Sequence, residues 1–254
     1  MLFVAENISK NFDGLKALDK ISLHLDEKEI LALIGPNGAG KTTFFNIVSG
    51  VYPPTEGIIK FEGKNIVGLK PHQISKIGIA RTFQNLRLFS QMTTLENILC
   101  GFFSRSNYNL LDIVFLRKKF KEIEEKNLKD CYFLIEFIGL SGKENELAKN
   151  LSYGQQRKLE IARALATSPK LLLLDEPTAG MNPKETEEMM ELIKKIREKG
   201  ISILLIEHDM KVVMNIPDRI VVLDYGEKIA EGKPEEIRAN EKVIKAYLGE
   251  IYAT

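Results

Sequence analysis

Gly35-Pro36-Asn37-Gly38-Ala39-Gly40-Lys41-Thr42 sets glycines at fixed spacing ahead of a lysine and a hydroxyl. Glycine lets a backbone curl until successive N–H groups point into one concavity, a seat for phosphate oxygens. The apolar run Ile30-Leu31-Ala32-Leu33-Ile34 precedes it and the helix-like run Thr43-Phe44-Phe45-Asn46-Ile47-Val48 follows. Strand, glycine loop and helix in that order form a phosphate-binding unit, and the helix adds the positive end of its dipole. Lys41 suits the β- and γ-phosphates, and the Thr42 hydroxyl suits Mg²⁺. The expected ligand is a nucleoside triphosphate.

Leu171-Leu172-Leu173-Leu174-Asp175-Glu176 ends an apolar run with two acids, and Pro177 closes it. In open α/β sheets ligands bind beyond the carboxyl ends of strands, so both carboxylates should face the phosphate loop. Asp175 is suited to hold Mg²⁺ through a water, and Glu176 to polarise an attacking water as general base. His208, between Glu207 and Asp209 at the end of Ile201–Ile206, is placed for a γ-phosphate contact, whereas His24 and His72 read as structural or solvent-facing, His72 in a polar loop. Ser152 and Gln155 form an S-x-x-Q capping box. That box leaves Gly154 unexplained in a first helical turn, where glycine costs stability, so the cap is also a candidate phosphate site.

These residues need elements to hold them. Residues 2–8 and 21–25 read as strands, with Asn11-Phe12-Asp13-Gly14 a turn that exposes an aromatic. With a short strand at Ile58–Phe61 they make a small antiparallel sheet. From about Leu86 to Leu165 the pattern turns helical, with Leu128, Cys131, Leu134, Ile135 and Ile138 at helical spacing. Arg117–Lys126 reads as a solvated charged helix with pairs such as Lys118–Glu122, and Ser104–Asn109 as an exposed loop. The last third alternates again: strands at 170–175 and 201–206, an amphipathic helix at 184–199, a hairpin about Asp224–Glu227 and two terminal helices. A parallel α/β core with one β-rich lobe and one helical insertion follows.

Composition sets bounds. Apolar residues make up 44% of 254, charged residues 28%, and the net charge is +1. That balance is globular and gives no bulk charge for nucleic acid or a membrane surface. The two cysteines, Cys100 and Cys131, lack C-x-x-C spacing and read as reduced thiols. No signal peptide is expected, and no apolar run approaches the roughly 18 residues that span a bilayer.

Together these stretches resemble the ATP-binding-cassette (ABC) ATPases over nearly the whole chain, about Leu2 to Ala230. Gly35–Thr42 is similar to their Walker A loop, Leu171–Glu176 to Walker B, Leu151–Gln155 to the signature sequence, Gln84 to the Q-loop glutamine, His208 to the switch histidine and Phe12 to the adenine-stacking aromatic. The resemblance implies a P-loop NTPase (RecA-like) parallel-sheet core with an antiparallel β lobe and a helical subdomain. It implies one domain over 1–254, with a core at 1–85 and 166–235, a helical signature subdomain at 86–165 and C-terminal helices at 236–254. Implied catalytic residues are Glu176, His208 and Gln84. Implied ATP contacts are Phe12, Gly35, Pro36, Asn37, Gly38, Ala39, Gly40, Lys41, Thr42, Thr43, Ser152, Gly154 and Gln155, with Thr42, Gln84 and Asp175 on Mg²⁺. Head-to-tail dimers would sandwich two ATPs, Ser152 and Gly154 acting on the partner's γ-phosphate. Tyr153 replaces a usual glycine, Phe12 the commoner tyrosine, and Asn182 the usual D-loop aspartate, the last removing a charge.

Gly78–Phe89, Pro177–Pro183, Ile206–Met210 and Ala246–Glu250 are similar to the branched-chain amino acid importers. The implied protein is an ATPase on the cytoplasmic side of the inner or plasma membrane. Its implied partners are a second ATPase and permeases met through the helical subdomain. Lipopolysaccharide-export and urea or amide systems have similar cassettes. A non-transport cassette on DNA or ribosomes fits less well, since the coiled-coil insertions and basic extensions of such proteins have no counterpart here.

Overall fold

The computed structural model describes residues 1–103 and 117–252. They fall into two compact units, Met1–Arg81 with Lys170–Thr254, and Thr82–Pro169.

The first unit holds two sheets. In the smaller, β1 (Phe3–Phe12), β2 (Leu15–Leu25), β4 (Glu56–Phe61) and β5 (Lys64–Asn65) pair antiparallel in the order β2-β1-β4-β5. The larger runs β10-β9-β3-β8-β7-β6, with β3 (Ile30–Ile34), β6 (Ile79–Arg81), β7 (Leu171–Asp175), β8 (Ser202–Ile206), β9 (Arg219–Asp224) and β10 (Glu227–Gly232). Its pairings are parallel except at the β9–β10 hairpin. Every residue of β3, β7 and β8 is buried, the expected state of parallel strands covered on both faces. The carboxyl ends of these strands release the glycine loop, the Asp175–Glu176 pair and Glu207–His208.

Helix α1 (Lys41–Val48) is anchored by Phe44 and Phe45, both fully buried in one cluster with Phe3, Ile21, Leu31 and Leu204. Each such side chain contributes about 1.5–3 kcal/mol, which anchors the helix that the glycine loop leads into. Helix α2 (Pro71–Lys76) carries His72, which corrects the polar loop expected there: Pro71 starts the helix and the Gln73 side chain caps the Lys70 N–H at 2.9 Å. Phe12 is likewise the last residue of β1, and only Asp13 and Gly14 make the turn, at φ 39° and 94°. Strand β6 escapes sequence reading because it is only three residues long and acquires its state from parallel pairing with Leu171–Leu173.

In the second unit α3 (Thr94–Phe103), α4 (Arg117–Phe137) and α5 (Tyr153–Leu165) supply the described helices. Gly101 lets α3 approach α5, since a Cβ there would lie 2.4 Å from the Arg163 carbonyl oxygen. Cys131, Ile135 and Ile138 are buried as their spacing predicts, whereas Leu128 is exposed. The described ion pair of the charged run is Lys121–Glu125 at 4.0 Å. The Lys118–Glu122 pairing and the Ser104–Asn109 loop lie outside the described residues.

The first unit closes with α6 (Pro183–Glu198), α7 (Met210–Asn215), α8 (Pro234–Arg238) and α9 (Glu241–Tyr252). Ile237 and Val243 of the last two join Ala32, Ile34, Ile220 and Val222 in a second apolar cluster. Among the described residues no helix is long and apolar enough to cross a membrane.

Candidate active site

The glycine loop is left-handed where the sequence requires glycine. Gly40 sits at φ 100°, and a Cβ on it would lie 2.6 Å from the Leu18 side chain and 2.7 Å from the Ala17 carbonyl oxygen. Gly38, at φ 79°, has open space where a Cβ would point, so that part of the concavity is free of protein. Gly40 is also the N-cap of α1 and no side chain caps the helix, which leaves its N-terminus suited to an anion. The Lys41 ammonium donates to the carbonyl oxygen of Pro36 at 2.8 Å and to that of Gly35. Its long side chain is thereby held over the loop. Thr42 is exposed and Thr43 half-buried. This cradle of backbone N–H groups, ammonium and hydroxyl fits a triphosphate and a hard cation by the chemistry of its donors.

Phe12 presents its ring beside Tyr52, centroids 5.3 Å apart at 89°, with the Lys10 ammonium 5.0 Å from the Phe12 centroid. Phe12 is 38% exposed, so it lies at the surface where a base could reach it.

Asp175 differs from a bare acid waiting for a metal. Its Oδ2 accepts from Arg81 at 3.0 Å and both side chains are buried. Arg81 also donates to Asn46 Oδ1 at 2.7 Å and Ser49 Oγ at 2.9 Å, and lies over the Phe45 ring. One guanidinium thus ties the acid-bearing strand to α1. A carboxylate is the kind of hard oxygen donor that Mg²⁺ takes, so the residue type fits a contact through water.

Glu176 stands in the left-handed region at φ 48°, a costly conformation for a side chain of its size, while its N–H donates to Ile206 at 2.9 Å. His208 Nδ1 lies 3.7 Å from Glu176 Oε1. Glu207 turns inward, 1% exposed, accepting from Thr178 and from the N–H groups of His208 and Asp209. Asn182 is the N-cap of α6; its Oδ1 accepts from Lys184 and Glu185, each at 3.0 Å.

Gln84, Ser152, Gly154 and Gln155 belong to the second unit. Ser152 caps α5 as its spacing predicts: Ser152 Oγ accepts from the Gln155 N–H at 3.4 Å and Gln155 Oε1 from the Ser152 N–H at 3.1 Å. Ser152 and Tyr153 face outward, and Gly154 is buried. The buried Arg157 donates to the carbonyl oxygens of Phe83, at 2.6 Å, and Gln84, and to the Tyr153 hydroxyl at 3.0 Å. It therefore fastens the main chain at Gln84 to the helix that Ser152 starts. Burial pushes the Glu160 carboxyl above its ordinary range, opposed by the Arg157 charge 3.3 Å away.

Arg81, Arg157, Thr178 and Glu207 escaped the sequence reading. Each works through a partner far along the chain, and no local spacing separates an inward-turned charge from a solvated one.

Residues 18–179 match the family model described as "ABC transporter". The chain belongs to the ABC transporter family. A second model, "Branched-chain amino acid ATP-binding cassette transporter", matches residues 227–253 of the cassette. Over 244 residues the cassette is 48% identical to the high-affinity branched-chain amino acid transport ATP-binding protein BraF of Pseudomonas aeruginosa, covering 96% of each chain. The crystal structure of the ADP conformation of MJ1267, an ATP-binding cassette of an ABC transporter, is similar at a TM-score of 0.86 and 35% identity, with 98% of each chain covered. The dimeric post-hydrolysis structure of the cassette MJ0796 bound to ADP and Pi is similar at 0.77 and 28% identity, over 91% of this chain and 98% of that one. The ABC ATPase fold and a nucleotide-binding, ATP-hydrolysing cassette follow.

Proposed function

We propose that this cassette is the ATP-hydrolysing subunit of an importer for branched-chain and other hydrophobic amino acids. The observation that carries the reading is similarity to BraF over 96% of both chains, joined by the separate match of residues 227–253 to the branched-chain amino acid cassette model. Phe12 stacks on the adenine. The N–H groups of the Gly35–Thr43 stretch and the Lys41 ammonium bind the phosphates, and Lys41 neutralises charge as it shifts toward the leaving group. Glu176 orients and deprotonates the attacking water, and His208 steadies the γ-phosphate. Thr42, Gln84 and Asp175 would hold Mg²⁺, which supplies charge neutralisation across the phosphates when bound. Ser152, Gly154 and Gln155 complete the site on a second cassette, as the dimeric MJ0796 structure supports. Permeases dock on the helical unit, which leaves the cassette a peripheral protein on the cytoplasmic face of the membrane.

Co-purification of the full chain from native membranes, followed by ATPase assays with candidate solutes, tests this. Leucine, isoleucine or valine with the cognate binding protein should stimulate hydrolysis. Stimulation by urea or a short amide instead, or recovery with ribosomes or DNA rather than membranes, would overturn the substrate assignment.

A further inference from the structure

We infer that Glu207 is a positioning residue, clamping the loop that leaves Glu176 to the loop that carries His208 so that the two move together. The inference builds on the roles given above to Glu176 and His208.

The His208 side chain is 62% exposed, and its described neighbour is Glu176 Oε1 at 3.7 Å. Packing does not place such a ring; its backbone must. The His208 N–H donates to Glu207 Oε2 at 3.0 Å, and the Asp209 N–H donates to the same oxygen at 3.3 Å. The other oxygen, Oε1, accepts from the Thr178 N–H at 3.0 Å and from the Thr178 hydroxyl at 2.5 Å. Thr178 lies two residues beyond Glu176, with the stiff Pro177 between. A single side chain therefore grips the backbone on both sides of the Glu176–His208 pair. Asp209 carries the grip onward, since its carboxylate caps α7 through the Lys211 N–H at 2.8 Å.

The chemistry of the clamp selects a carboxylate. Only an ionised carboxyl offers two oxygens with no hydrogen, and four donors converge on it here. Glutamine at this position would turn an NH₂ toward one donor pair, and alanine would leave buried N–H groups unpaired. Among the described residues no cation forms a salt bridge with Glu207; the four donors are its partners. Displacement of either loop strains the shared hydrogen bonds, so a shift at Thr178 is felt at His208.

The test uses the full chain with ¹³C-labelled histidine. It has three histidines, His24, His72 and His208, and His208→Ala assigns the resonance of interest. Thr178→Val removes the hydroxyl at nearly constant volume, and Thr178→Ser restores it. Thr178→Val should shift the His208 resonance while His24 and His72 stay put. It should lower kcat about tenfold, the effect of one hydrogen bond to a charged group, with nucleotide affinity within about threefold. Thr178→Ser should recover the wild-type resonance and most of the rate. If Thr178→Val does not fold, Glu207→Gln supplies the comparison from the other end. An unmoved His208 resonance in both Thr178→Val and Glu207→Gln overturns the clamp. Wild-type hydrolysis by His208→Ala would instead overturn the role given to His208, and the resonance comparison would still decide the clamp.

Discussion

Arg81 shows how much a single residue does that its place in the chain conceals. As the last residue of a three-residue strand it looks like a solvated end, yet its guanidinium pairs with Asp175 in a buried setting and reaches Asn46 and Ser49 on α1. Removing one partner of a buried pair strands the other charge, which costs about 3–5 kcal/mol. Arg81→Ala should therefore lower the urea unfolding free energy by that amount. A loss under about 1 kcal/mol would show that the pair contributes no more than an exposed one. Asp175, Glu176 and Lys41 stand out as candidates from spacing alone because phosphate chemistry restricts which residue types can follow a buried strand. Arg81, Glu207 and Arg157 could not, since their function depends on which way a buried charge turns.

At the scale of elements, two termini explain themselves. Asn182 raises doubt in the sequence because the resemblance expects an acid, and the fold gives it a local role as N-cap of α6. Asparagine and aspartate cap equally well, so Asn182→Asp should leave stability nearly unchanged while Asn182→Ala costs about 1 kcal/mol, read from thermal melts. A neutral Asn182→Ala would remove the capping role. The β9–β10 hairpin carries a charge network: Arg219 pairs with Glu29 at 2.9 Å and with Glu231, and Lys228 pairs with Glu231 at 2.6 Å. Burial pushes the Glu231 carboxyl up, but Lys228 and Arg219 together outweigh it and hold the pKa below its ordinary 4.5. A depressed folded pKa means stability is present above about pH 4.5 and is lost as pH falls through the folded value. Glu231→Gln should therefore flatten the acid side of the stability profile below pH 4.5 in urea titrations, and an unchanged profile would place the loss elsewhere. Element boundaries were legible where period and caps agree, as in α5 and α6. They were not for β6 and α2, which are too short to carry a period.

At the scale of the whole molecule, the phosphate loop and the signature helix lie in different units, Met1–Arg81 with Lys170–Thr254 and Thr82–Pro169. The proposed site draws its signature residues from a second copy or a related cassette, so blocked hydrolysis should reveal itself as assembly. Glu176→Gln should lower kcat about 10²–10⁴-fold, leave nucleotide binding intact and accumulate an ATP-dependent dimer on a sizing column. A variant that hydrolyses normally would remove Glu176 from the base role, and one that binds ATP but stays monomeric would argue for a heterodimer. The sequence by itself determined the fold class, the glycine loop, the acid-bearing strand and the capped helix that Ser152 starts. Each is a local pattern whose glycines, periodicity and terminal residues act within a few positions. Only the tertiary structure decided that Asp175 is held by Arg81, that Arg157 grips the chain at Gln84 and that Glu207 joins Thr178 to His208. Those contacts link residues 94, 73 and 29 positions apart. Burial demands that each charge find a partner, and the folded chain's packing decides which donor that is.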